Sequence, residues 1–162
     1  MKYQADGLTE AQWETWRQDP SGMATQINNK MTRTVLPEDD GHKVVLMKMK
    51  MPMMITNRSI VSCFYEHQRE DGWKVLLHSS QGNDHIVAAN KSAIGKDVVA
   101  DMVITYYAWR PYEGGLEIWH INKMNPAGSI PDFLKNKMAK RMANGVLNLV
   151  NFIKTGAKPA DD

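Results

Sequence analysis

Between Lys43 and Met51 the chain alternates: Val45, Met47, Met49 and Met51 take one side, Lys48 and Lys50 the other. A period of two marks a half-buried strand, and the lysines identify its wet face. A first short strand is expected over Met31–Leu36, stopped by Pro37-Glu38-Asp39-Asp40-Gly41. Ser59–His67 and Trp73–Ser80 flank a loop containing Asp71-Gly72 and read as a hairpin. In its first strand Ile60, Ser62 and Phe64 share a face. In its second, Trp73, Val75, Leu77 and Ser79 share one, with Lys74 and His78 opposite. Val98–Trp109 is a β-branched and aromatic run that Pro111–Gly115 turns back into Leu116–Lys123, where Ile118, His120 and Asn122 fall on one side.

Two stretches follow the helical period instead. Leu8–Gln18 reads as a short helix with Thr9 as its N-cap and Asp19-Pro20-Ser21-Gly22 as its stop. Trp13 and Trp16 share one face of it, and that face must be covered by the body or by a partner. Near the other end, Met138, Met142, Val146, Leu149 and Ile153 form a stripe on a long helix over Pro131–Lys154, ended by Gly156. Gln81–Asp97, polar and rich in small residues, reads as a loop, and the tail from Ala157 as frayed. Strands in succession followed by one helix argue for an α+β fold. The packing expected is a helix grip, a curved antiparallel β-sheet wrapped around the long C-terminal helix, which readily encloses an apolar pocket.

Composition narrows the function. With 162 residues the chain is expected to form a single domain with a core that needs no staple. A net charge of +2, from 20 basic and 18 acidic residues, disfavours phosphate-driven nucleic-acid binding. The lone Cys63 makes no internal disulfide and reads as a small buried residue. No apolar run is long enough to span a bilayer and the first residues are polar, so a cytoplasmic location is the expectation. The chain has 12 Met against 3 Phe, with Met47, Met49, Met51, Met53 and Met54 crowded together. Such side chains serve either as core filler or as the wall of a cavity that fits a flexible ligand.

Catalytic signatures are missing from the sequence. There is no phosphate-binding loop and no nucleophile elbow, and Gly114-Gly115 is a hairpin turn. The histidines at 42, 67, 78, 85 and 120 lack metal-ligand spacing, and His67 with His78 has no third ligand. A non-enzymatic protein with no cofactor, no metal and no catalytic residue is expected. His120 is either a satisfied core histidine or the polar group that fixes one end of an apolar ligand.

Two phrases carry a family resemblance. Lys50-Met51-Pro52-Met53-Met54-Ile55-Thr56-Asn57-Arg58-Ser59 resembles the "MP…SNRD" phrase of START domains, the steroidogenic acute regulatory protein-related lipid-transfer family. Met124-Asn125-Pro126-Ala127-Gly128-Ser129-Ile130-Pro131 resembles that family's "D-P-G-G-x-I-P" turn ahead of the last helix. Ser59 and Asn125 stand where the family has Asp, and Arg58 reads as a structural hydrogen-bonding residue. The resemblance runs from about Asn28 to Phe152 and implies that the family's N-terminal helix and first strands are lacking. The sheet edge so exposed would be left open, covered by Leu8–Gln18, or paired with a second copy in a homodimer.

What the resemblance implies is binding and transfer of a lipid, a sterol or another hydrophobic ligand in an internal tunnel. The C-terminal helix and the 81–97 loop would gate it. The expected wall is Met47, Met49, Phe64, Val75, Leu77, Tyr107 and Ile118 on the strands, with Met138, Met142, Val146 and Leu149 on the helix. His120 and Asn122, with Ser62 and Thr105, would hold the polar end. Relatives place a basic side chain where Phe64 stands, so a neutral lipid or fatty ligand is the expectation. Lys135, Lys137, Lys140 and Arg141 suit transient contact with an anionic membrane surface, although a solvated helix face explains them too. The alternatives are an enzyme acting on a hydrophobic small molecule in the same pocket, or a ligand-free interaction module docking through Trp13 and Trp16.

Overall fold

Residues 1–18, 30–52 and 54–158 are described by a computed structural model. They form, in chain order, β1 (Lys2–Asp6), α1 (Glu10–Gln18), β2 (Met31–Asp39), β3 (His42–Met49), β4 (Arg58–Gln68), β5 (Lys74–Ser79), α2 (Asp84–Ala89), α3 (Lys91–Ile94), β6 (Val98–Val99), β7 (Asp101–Tyr112), β8 (Gly115–Asn125) and α4 (Asp132–Thr155). The strands make one curved sheet in the order β1-β8-β7-β5-β4-β3-β2, antiparallel throughout, with β6 joining the start of β4 in parallel. The helix grip expected from the residue pattern is the fold observed. The expected helix stop at Asp19–Gly22, and Met53, lie outside the described residues.

Strand alternation divides the side chains between two faces. On the inner, concave face Leu76, Trp109, Leu116 and Ile118 pack with Val146 and Leu149 of α4 and with Trp13 and Trp16 of α1. Val45, Met47, Ile60, Ala100 and Met102 continue that face toward β2, and the half-buried Phe64 touches both groups. On the outer face Val44, Leu46, Val61 and Cys63 are covered by Ile86 of α2 and Ile94 of α3. β3 and β4 are therefore covered on both sides.

Three differences from the sequence reading follow. First, Lys2–Asp6 is a strand paired with β8, Ala5 opposite Leu116, so the edge beside β8 is filled by the chain itself. Second, the 81–97 segment, expected as a loop, forms α2 and α3, whose Ile86 and Ile94 pack on the outer face. Third, Trp13 and Trp16 are buried against the sheet: Trp13 lies 5.9 Å from Tyr107 and 6.0 Å from Trp109, centroid to centroid. That aromatic face is used internally and leaves nothing for a partner. Thr9 does cap α1, through a reciprocal pair with Gln12: Gln12 N–H donates to Thr9 Oγ1 at 3.2 Å and Thr9 N–H to Gln12 Oε1 at 2.9 Å.

The two phrases that carry the resemblance meet in space. Arg58 is 1% exposed, and its guanidinium donates to Pro126 O at 2.9 Å, to Ala127 O at 2.9 Å and to Thr56 O. Arg58 is structural, as its sequence setting suggests. It ties the start of β4 to the turn that launches α4. Gly128 completes the joint, because a Cβ there would stand 3.3 Å from an Arg58 η nitrogen and its φ of +64° disfavours any side chain.

Replacing Arg58 with Ala strips buried main-chain carbonyls of their donor. A loss of about 2–4 kcal/mol in urea unfolding is expected. Arg58→Lys recovers only part of it, since one ammonium cannot span the same acceptors. Gly115 supplies a second check, because a Cβ there would fall 2.2 Å from Ala5 O. Gly115→Ala accordingly prises β1 from β8 and speeds amide exchange in β1 before the rest of the sheet.

Candidate functional site

The inner face carries a band of polar groups within its apolar lining. Across the strands, Phe64 of β4 stands opposite His78 of β5, His78 opposite Thr105 of β7, and Thr105 opposite Asn122 of β8. One row away, Leu76 faces Tyr107 and Tyr107 faces His120. Ser62 lies opposite Val45. Two ring stacks fix the histidines: Phe64 on His78 at 4.5 Å and 4°, Tyr107 on His120 at 4.7 Å and 27°.

Part of this band is satisfied internally. Asn122 Nδ2 donates to Thr105 Oγ1 at 3.0 Å, and Thr105 Oγ1 donates to Met102 Sδ at 3.0 Å. The remainder is not. Ser62 Oγ, His78 Nδ1, His120 Nε2 and Asn122 Oδ1 are buried and have no partner among the described residues. Arg33 Nε on β2 shares that condition. Natural structures leave few such atoms, since each costs about 1–3 kcal/mol when no partner is supplied. Ser62, His78, His120 and Asn122 bring these atoms to one face of the sheet.

Both histidines are held neutral. Burial pushes His78 down to about 3, helped by the nearby charge of Arg33 and by the repulsion that His120 would add once protonated. Burial likewise lowers His120 to about 4, with the N-terminal ammonium adding to it. Burial also raises the Tyr107 phenol and lowers the Arg33 guanidinium from their usual values. No group of three His, Cys, Asp or Glu side chains among the described residues is arranged to hold a metal ion.

Most of the expected wall residues lie together on this face. Met47, Ser62, Thr105, Ile118 and His120 are buried; Met49, Phe64, Tyr107 and Asn122 are half-buried. From α4, Val146 and Leu149 are buried in the same cluster, and Met138 and Met142 are half-buried toward the helix N-terminus. Val75 and Leu77 are corrections: strand parity puts them on the outer face, and Leu76 and His78 take the inner positions. Lys74 and His78 read as the wet side of β5, yet they share the inner face with Leu76, so the alternation points the wrong way there.

Sequence reasoning also missed Arg33, whose place among Thr32, Thr34 and Pro37 suggests an exposed edge. A separate open cleft of about 440 Å³ lies beside the C-terminus of α1, lined by Glu14, Arg17, Glu66, Lys74 and Trp109 among others. Its charges are already paired, Arg17 with Glu14 at 2.7 Å and with Glu66 at 2.5 Å.

Solved structures share this architecture over nearly the whole chain. Human StAR-related lipid transfer protein 5 superposes with a TM-score of 0.69 at 15% identity, covering 92% of this chain and 72% of that one. The fold is that of START domains. Human STARD10 gives a TM-score of 0.68 at 14% identity over 93% of this chain, which spans only 59% of that structure. The StAR-related lipid transfer protein of Xanthomonas axonopodis gives 0.64 at 16% identity, covering 88% of this chain and 77% of that fragment. No protein-family model matches the chain, and no curated protein matches it in sequence. At these identities the START likeness concerns the fold, and the site must be argued from its own residues. No helix among the described residues is long and apolar enough to cross a membrane.

The neutral histidines set a pH window. Above pH 6.5, their ordinary value, both are neutral in folded and unfolded chains, and their contribution to stability is flat. As pH falls from there toward about 4 and then about 3, the unfolded chain takes up protons that the folded chain refuses, so stability declines. Thermal melts between pH 7 and pH 4.5 are expected to show a falling midpoint that flattens in the His78→Gln, His120→Gln double variant.

Proposed function

We propose that this chain binds one hydrophobic or amphiphilic lipid on the concave face beneath α4 and carries it without chemical change. The carrying observation is the set of buried, unpartnered polar atoms on Ser62, His78, His120 and Asn122, set among methionine and aromatic side chains. An apolar surface with a few convergent polar groups suits a ligand with one polar end. Met47, Met49 and Phe64 offer the apolar body a compliant wall, since thioethers repack at low cost. The shared fold of proteins titled lipid transfer proteins supports the same reading.

Carriage is favoured over catalysis by the histidines themselves. Neither is paired with a carboxylate among the described residues. The nearest buried acid in β8, Glu117, is engaged by Arg110 at 2.8 Å and by Lys2. A general base needs a proton acceptor near neutrality, and both rings are far below it. Exchange at a membrane surface is part of the proposal. Phe133, 72% exposed, opens α4 beside Lys135 and Lys137, an arrangement that suits brief contact with an anionic bilayer.

Native mass spectrometry of the purified chain tests the reading directly. A co-purifying lipid near one-to-one stoichiometry is expected, with extraction naming its class. Met142→Asp, which puts a charge on the helix stripe, is expected to fold and to lose that lipid. A chain that stays empty after incubation with sterol, phospholipid and fatty-acid vesicles would sink the proposal.

A further inference from the structure

Arg33 lies on the edge strand β2, opposite Met47 of β3, whose side chain is 2% exposed in the inner cluster. Residues paired across antiparallel strands share a face, so Arg33 points inward. The curvature of the sheet carries its guanidinium across the concavity. Its charge acts on His78 of β5 and on Tyr107 of β7. Its Nε is buried without a partner, and no carboxylate among the described residues pairs with it. Arg33 is half-buried, and holding a partly desolvated cation without an anion is costly.

Resting on the lipid-binding reading above, we infer that the ligand is a single-chain amphiphile whose carboxylate is held by Arg33. The planar guanidinium fork matches a carboxylate with two parallel N–H···O bonds. His78, whose Nδ1 is buried without a partner among the described residues, lies within the reach of the Arg33 charge. Room for the tail is limited on one side. Trp13, Trp16 and Trp109 fill the half of the concave face under the C-terminal part of α4. The other half is lined by Met47, Met49, Met102 and Met124. Flexible thioethers of this kind suit a single acyl chain, which repacks them at low cost. The expectation of a neutral ligand rested on Phe64 replacing a basic residue in β4. The structure provides the cation from β2 instead.

The test compares oleate with oleyl alcohol, which share a tail and differ in charge, by tryptophan fluorescence titration of the full chain. The wild type is expected to bind oleate at least about tenfold more tightly than the alcohol. Arg33→Met is expected to erase that preference while leaving alcohol affinity intact, and Arg33→Lys to keep part of it. Equal affinity of the wild type for both probes would overturn the carboxylate assignment and leave lipid binding standing, without reliance on any variant. Preference retained in Arg33→Met, or oleyl phosphate bound about tenfold more tightly than oleate, would overturn it too. Binding of neither probe, with no lipid seen in native mass spectrometry, would remove the lipid reading itself.

Discussion

The guanidinium of Arg58 is committed to the backbone, and the placement of α4 depends on that commitment. Its bonds to Pro126 O and Ala127 O, both at 2.9 Å, hold the turn before the helix against the first residue of β4. The same strand start is tied to β6, and Ser59 Oγ donates to Asp97 Oδ2 at 2.7 Å. Helix, central strand and the end of the 81–97 segment thus converge on one buried joint. A residue at this point with fewer donors would leave carbonyls desolvated and the helix without a fixed origin over the sheet.

Around that joint the concave face is divided into two regions of different character. Trp13, Tyr107 and Trp109 form a rigid aromatic block whose rings meet at 5.9–6.0 Å. The methionine-lined region toward β2 and β3 is softer, and the polar band of His78, Thr105 and Asn122 lies between. Aromatic packing holds one half rigidly, while thioethers repack at low cost in the other. On the outer face α2 and α3 cover β3 and β4.

The sequence makes some of this plain and hides the rest for physical reasons. Period-two alternation at Val45, Met47 and Met49 and the helical stripe from Met138 to Ile153 are strong signals, and both elements stand where they point. The Asp71-Gly72 hairpin is equally legible. β1 is not, because an edge strand buries little: only Ala5 of Lys2–Asp6 is buried. α2 and α3 each bury a single residue, Ile86 and Ile94, too few to show a period. β5 misleads, because the polar Lys74 and His78 share the inner face with Leu76 while Val75 and Leu77 stand outside, half-buried. Arg33 is the clearest case of information held by curvature. Its local pattern reads as solvent, and only the bending of the sheet brings it to His78 and Tyr107.

At its C-terminal end α4 is secured as well. Phe152 is buried, Lys154 Nζ donates to Asp6 O at 2.6 Å, and Gly156 closes the last turn with its N–H on Phe152 O at 2.8 Å. A rod pinned at both ends does not swing like a door; it bows. The weakest point for bowing is set by the backbone, and Gly145, with open space around it, sits near the middle of the span. The stiffness of one helical turn, more than the strength of any hinge, then sets how far the middle of α4 can lift from the sheet.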